Sequence, residues 1–210
     1  MIVLLDTSAD LRCCAVELGC GVEQLLTPLT GFAVQYPQEH FAIDNGAFSG
    51  FDATRFEALL RREQHRQPLC RFVAVPDVVA SARRTLEVFD QWWAGPVLRG
   101  WPLALVAQDG LEDLSIPWQL LSAVFVGGTT EWKLGPHARH VIKAAQILGK
   151  WVHVGRVNTP GRFEYCERLG VDSIDGTGLS RYTWMRESLY RRAMQPTLFS
   201  DQASQEVTSS

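Results

Sequence analysis

The eleven residues VDSIDGTGLSR (171–181) carry the pattern that sets the architecture of this chain. Val171 and Ile174 favour extended backbone, and Asp175 follows at once. Gly176 and Gly178 then let the backbone turn sharply and come close to a ligand. The segment reads as a short buried strand that ends in a carboxylate before a Gly-rich loop. Barrel enzymes built on parallel strands keep their catalytic groups at that place. In isolation the same residues also describe an Asp that starts a turn or caps the next helix.

Outward from this segment the pattern recurs. Trp151–Val154 is a strand ending in Gly155-Arg156, and Thr159-Pro160 caps a helix with Phe163, Cys166 and Leu169 inside and Gly170 at its end. Ala123–Val126 ends in Gly127-Gly128, and a helix near Pro136 presents Val141, Ala145 and Leu148. Pro102–Ala107 ends in Gln108-Asp109-Gly110, and 117–121 reads as helical. Phe72–Val75 ends in Pro76-Asp77, before a helix with Leu86, Phe89 and Trp93 at helical spacing. Phe41–Asp44 runs into a Gly-rich turn. Asp52 then caps a helix with Phe56, Leu59 and Leu60 inside and Arg61, Arg62 and Arg66 outside. Ile2–Leu5 ends at Asp6, and Phe32–Val34 reads as a second strand. Residues 7–31 show no clean periodicity. Thr183–Met194 closes the fold as a helix, and the polar, Ser-rich residues 195–210 read as a disordered tail after one catalytic domain over 1–194.

About eight short apolar strands alternating with helices give an α/β protein. The expectation is a compact (β/α)8 TIM-type barrel without zinc, with a doubly wound open parallel sheet as the alternative. In either fold Asp44, Asp77, Gln108, Gly127-Gly128, Gly155-Arg156 and Asp175 converge on one mouth. At 210 residues the chain buries one substantial core. Its net charge of −3 supplies no global basic field, so a nucleic-acid partner needs local patches. The start, MIVLLD, lacks a basic region, and no apolar run reaches membrane-spanning length, which points to the cytoplasm. Five cysteines, an odd number, fit a reducing compartment, and Cys13, Cys14 and Cys20 lack the spacing of a zinc site.

The strand-end segments also carry a resemblance. IDNGAF (43–48), PDVV (76–79), VAQDG (106–110), VFVGGTT (124–130), VHVGRV (152–157) and VDSIDGTGLSR are similar, in order and rough spacing, to the motifs of tRNA-guanine transglycosylases. The chain lacks that family's C-terminal zinc motif and the length for its tRNA-docking elements. It looks more like the small, often phage-encoded relatives that exchange guanine in DNA for a 7-deazaguanine such as preQ0.

The resemblance implies a glycosyltransferase that needs neither cofactor nor metal. Asp175 would be the nucleophile that holds the sugar between two displacements, and Asp44 the general acid/base. Asp77, Gln108 and the backbone of Gly127 and Gly128 would hold the purine edge, with Phe48 stacked on its ring. Arg156 and Arg181 would contact phosphates of DNA, single-stranded or with the guanine flipped out. Further phosphate contacts would come from Arg61, Arg62 and Arg66, or from Arg186, Arg191 and Arg192. Plainer readings stand beside these. Asp77 can cap a helix, Phe48 can be core, His153 can be a packed strand residue, and the arginines can form solvated helix faces. Two other functions fit the same strand ends. One is a non-catalytic nucleic-acid-binding subunit. The other is a barrel lyase or aldolase on a phosphorylated metabolite, against which stands the absence of a strand-end Lys, Lys133 lying beyond the Gly-Gly loop.

Overall fold

Eight parallel strands close on themselves in the computed structural model, which describes residues 1–193. In chain order the elements are β1 (Ile2–Leu5), α1 (Leu11–Leu18), β2 (Val22–Leu26), β3 (Phe41–Ile43), α2 (Ala53–Glu63), β4 (Cys70–Ala74), α3 (Ala82–Trp92) and β5 (Leu103–Ala107). They continue with β6 (Ala123–Val126), α4 (Thr130–Leu134), α5 (Pro136–Ile147), β7 (Trp151–Val154), α6 (Pro160–Leu169), β8 (Ser173–Asp175), α7 (Thr177–Arg181) and α8 (Thr183–Ala193). Each strand pairs with the next, and β8 returns to β1, where Val3 faces both Val22 and Ile174. This closure rules out the open doubly wound sheet. The architecture is a (β/α)8 barrel.

The period-two alternation of the strands divides the apolar residues into two cores. Leu4, Leu25, Ala42, Phe72, Ala74, Ala104, Val106, Ala123 and Phe125 point inward and fill the barrel. Their neighbours, such as Val3, Leu5, Ile43, Val73, Leu105, Val124 and Val154, point outward against the helices. Phe72 and Phe125 meet edge to face inside the barrel, at 6.1 Å between ring centroids. Burial of each large side chain is worth about 1.5–3 kcal/mol.

Local signals set the helix ends. Asp52 and Thr159 accept hydrogen bonds from the backbone N–H of Arg55 and Arg162 and so cap α2 and α6. Gly170 ends α6 in the left-handed conformation, at φ 65°.

Three expectations are corrected. The second strand is Val22–Leu26, and residues 32–34 form a loop. Arg66 does not lie outside: its guanidinium is buried over the Phe41 ring and pairs with the equally buried Glu63. Trp93 and Leu148, expected inside, are exposed at the ends of their helices. The tail expected over 195–210 lies outside the described residues.

Among the described residues, no helix is long and apolar enough to cross a membrane. Nor, among them, does any group of three or more His, Cys, Asp or Glu have the placement of a metal site. Cys13, Cys14 and Cys20 are free thiols.

Candidate active site

The C-terminal ends of the strands surround a cavity of about 700 Å³. Asp44, Asp77, Gln108, Gly127, Phe48, Arg156, Arg181 and Asp175 all line it. Gly128 lies just behind, where its carbonyl accepts a hydrogen bond from the Arg156 guanidinium.

On the β3–β5 side, carboxylates meet amides. Asp44 directly follows β3, and its Oδ1 accepts from the Gly46 amide at 3.2 Å. The buried Asn45 donates through Nδ2 to Val75 O and to Asp77 Oδ1, each at 2.9 Å. Gln108 Nε2 donates to the other oxygen of Asp77 at 2.6 Å, while Gln108 Oε1 accepts from the Ala80 amide at 2.8 Å. Burial raises Asp77 from its usual value, against the two amides and Arg156. Asp44 rises to about 7, through burial first and then the neighbouring charges of Asp175 and Asp77.

The β6–β8 side is built from cations and an imidazole. Asp175 ends β8. Its Oδ2 lies 2.9 Å from His153 Nε2, and its Oδ1 accepts from the Arg156 amide at 3.0 Å. Burial acts to raise Asp175, but His153, the Arg156 amide and Lys133 outweigh it and hold the group below its usual value. Lys133 sits on α4, which folds its side chain back toward the barrel, where Nζ donates to Gly155 O. It is 4% exposed, and burial lowers it to about 8, with Arg156 and Arg162 adding to the effect and Asp175 opposing it.

Backbone conformation serves both sides. Among the described residues, Ala80 and Arg156 are the non-glycine positions with positive φ, both at 61°. Each is held there by giving its amide to a site side chain, Gln108 and Asp175 respectively. Such conformations cost about 1–3 kcal/mol and persist where the surroundings impose them. Gly127 and Gly155 are required by close approach. A Cβ on Gly127 would lie 2.7 Å from Val106 and 2.8 Å from Gln108 Nε2. One on Gly155 would lie 2.6 Å from the Phe125 ring.

The arginines anticipated as phosphate contacts divide. Arg181 is exposed at the cavity rim. The Arg156 guanidinium donates to Gly127 O at 2.7 Å and lies 4.4 Å above the exposed Phe48 ring, so it braces the Gly-Gly loop. Arg61 pairs with Glu57, and Arg62 and Arg66 with Glu63, which makes these parts of the helix surface and its buried anchor. Arg186 is buried and donates to Glu17 and to Leu179 O. The side chains of Arg191 and Arg192 lie outside the described residues.

Three residues that line the cavity, Asn45, Asp6 and Lys133, carry no sequence mark of a site role beyond the strand-end position of Asp6. Asn45 immediately follows the strand-end Asp44, and its amide had no strand position to mark it. Asp6 ends β1 and accepts from Thr30 and Thr27 at the cavity edge. Its strand-end position was the available signal. Lys133 lies beyond the Gly-Gly loop in sequence, and the short helix that returns it to the cavity has no separate sequence signature. His153 is the packed strand residue the sequence suggests, fully buried, and its Nε2 lies against Asp175.

No protein-family model matches the chain, and no curated protein matches it. Among solved structures the barrel is similar to KGPDC from Streptococcus mutans, at 11% identity and a TM-score of 0.46 over 92% of this chain and 98% of that one. It is also similar to native KDPGal, at 14% identity and a TM-score of 0.44 over 93% and 96%. At these identities the likeness is one of fold alone. The expectation of a glycosyltransferase is corrected here: neither of these neighbours, KGPDC and KDPGal, is a glycosyltransferase. The associated reading of a transferase that modifies DNA likewise finds no support in them.

Proposed function

We propose that the barrel mouth is the active site of a lyase-type enzyme that breaks a bond next to a carbonyl in a small anionic metabolite. The observation that carries this reading is one cavity holding two carboxyl groups with opposite protonation bias beside a buried Lys. Such a pair divides the roles of acid and base. Asp175, ionised, removes the proton whose bonding pair becomes the enolate. Lys133, cationic at neutral pH, stabilises the developing oxyanion. The enolate pair then expels a β-hydroxyl, and Asp44, protonated up to about pH 7, gives that leaving group its proton, so that water and an unsaturated carbonyl product depart. Arg181 and Arg162 at the rim supply positive charge for an anionic substrate group such as a phosphate.

The test is proton exchange in D2O followed by NMR, across a panel of phosphorylated ketoses, aldoses and keto acids. At least one compound should exchange a proton next to its carbonyl or be cleaved, and Asp175→Asn should abolish the signal. Exchange in no compound, or exchange indifferent to Asp175→Asn, would remove the reading.

A second reading is favoured by one feature. The exposed Phe48 ring and the Asp77–Gln108 edge line the same cavity, which is the outline of a slot for a flat polar heterocycle such as a 7-deazaguanine. In that case the domain binds a nucleobase, alone or within DNA. Calorimetry with guanine, 7-deazaguanine and a phosphorylated keto acid separates the two. Tight purine binding that is lost in Asp77→Asn supports the second.

A further inference from the structure

Behind Asp175 the barrel interior carries a polar thread that the acid–base steps above do not use. Trp151 opens β7, and His153 follows two residues later on the same face of the strand. Ser173 stands opposite His153 in the β7–β8 register. Trp151 Nε1 donates to Ser173 Oγ at 2.8 Å, Ser173 Oγ lies 2.9 Å from His153 Nδ1, and His153 Nε2 lies 2.9 Å from Asp175 Oδ2. His153 and Ser173 are fully buried, and the imidazole sits between Phe72 and Phe125 at 5.1 and 4.4 Å between centroids. The thread runs from the closed end of the barrel, where Arg71 covers the Trp151 ring and pairs with Glu23, to the open mouth.

The far end sets the direction. An indole N–H donates and cannot accept. It occupies Ser173 Oγ as an acceptor, so the serine hydroxyl proton is free to point at His153 Nδ1. The ring then carries its proton on Nε2 and donates it to Asp175, and every polar atom in the thread has a partner. A ring protonated on both nitrogens would aim a second donor at Ser173 Oγ. The serine proton would then lose its acceptor, because Ser173 Oγ has no further hydrogen-bond partner among the described residues. An unpaired buried donor costs about 1–3 kcal/mol.

We infer that Trp151 and Ser173 form a one-way relay that fixes the tautomer of His153 and makes it the positioning residue for Asp175. The inference deepens the proposed function, since it rests on Asp175 being the working carboxylate. His153 acts through Asp175 and touches no substrate. Besides His153, the groups that face Asp175 are Asp44 from the end of β3, Lys133 from α4 and Arg156 from the loop after β7.

Nuclear magnetic resonance of the full chain tests this without any substrate. In the native protein, 15N spectra should show His153 protonated on Nε2 and bare on Nδ1 at neutral pH. Protonation of both nitrogens, or of Nδ1 alone, would overturn the relay. His153→Phe fills the space between Phe72 and Phe125 without a donor, whereas His153→Gln retains one. With carboxyl-labelled aspartate, Asp175 should titrate about one pH unit higher in the Phe variant, and Gln should restore at least half of that shift. An Asp175 titration unchanged by His153→Phe would overturn the positioning role. Should that variant fail to fold, Ser173→Ala removes the Nδ1 partner at little cost in volume, and a His153 tautomer unaltered there would also sink the relay. The lyase reading fails separately, by the absence of proton exchange in any substrate.

Discussion

On the β3–β5 side of the mouth, Asp77 is gripped by the side-chain amides of Asn45 and Gln108, and Asp44 is met by the backbone amides of Gly46, at 3.2 Å, and Asn45. On the β6–β8 side, Asp175 faces an imidazole, a backbone amide and the Lys133 ammonium. The residue type and the burial are alike, and the outcome differs: Asp44 rises to about 7 while Asp175 falls below its usual value. What separates them is the company each side supplies. Neutral amides satisfy lone pairs but offset little of the cost of burying a charge, whereas cations and a committed donor do both. The barrel places the two kinds of company on opposite walls of one cavity, and that asymmetry is what makes an acid and a base out of two aspartates.

The largest break in this contrast is the removal of charge from the ionised wall. Asp175→Asn should cut turnover by about 10²–10⁴-fold, the scale of a lost general base, and Asp44→Asn should fall toward the lower end of that range. Deuterium exchange rates on the responsive substrate measure both. Equal rates for Asp175→Asn and the native protein would abolish the division of roles.

Glycine substitutions sharpen the contrast next. Gly155→Ala drives a methyl into the Phe125 ring and toward Asp175 Oδ2, and Gly127→Ala drives one into Val106 and Gln108. Each should cost about 1–3 kcal/mol in urea denaturation. Only the first should also shift the titration of Asp175.

A stability effect of opposite sign should appear at Asp44. Its folded pKa of about 7 lies above its ordinary value of 3.8, so folding favours its protonated form. The associated stability is intact below pH 3.8, is lost as pH rises to about 7, and is absent at pH 8. Asp44→Asn removes the buried charge. It should therefore raise stability at pH 8 by about 2 kcal/mol, allowing for screening by water in the cavity, and change little near pH 4. Denaturation curves at the two pH values decide it. No pH dependence in the difference would mean that Asp44 ionises as easily folded as unfolded.

The smallest effect is expected at Phe48. It is exposed and touches the Arg156 guanidinium, which keeps its carbonyl partners without it. Phe48→Ala should shift stability by about 0.5 kcal/mol. A larger loss would give Phe48 a part in holding the Gly-Gly loop.

Sequence pattern reached most of the fold because β1, β3, β5 and β6 are continuous apolar runs and most strands are bounded by turn residues. It missed β2 because VEQLL carries Glu23 and Gln24. Glu23 is tolerated near the base of the barrel because Arg71 pairs with it at 2.7 Å, and that partner lies 48 residues away. The same limit governs the site. Strand-end residues such as Asp44, Asp77, Gln108 and Asp175 announce themselves by position. Lys133 and His153 acquire their surroundings from other elements, Gly155 for one and Ser173 for the other, and no local period encodes those meetings. Arg66 reads as an outer-face residue for a related reason. A charge at that spacing reads as solvated until Glu63 and the Phe41 ring are seen to enclose it.

The central claim is that one cavity holds two aspartates of opposite protonation, and a carboxyl titration measures it directly. In the native chain carrying 13C-labelled aspartate, with Asp44→Asn and Asp175→Asn used to assign the signals, Asp44 should titrate near 7 and Asp175 below 3.8. Two carboxyls titrating together near 4, or Asp175 as the later of the two, would contradict it.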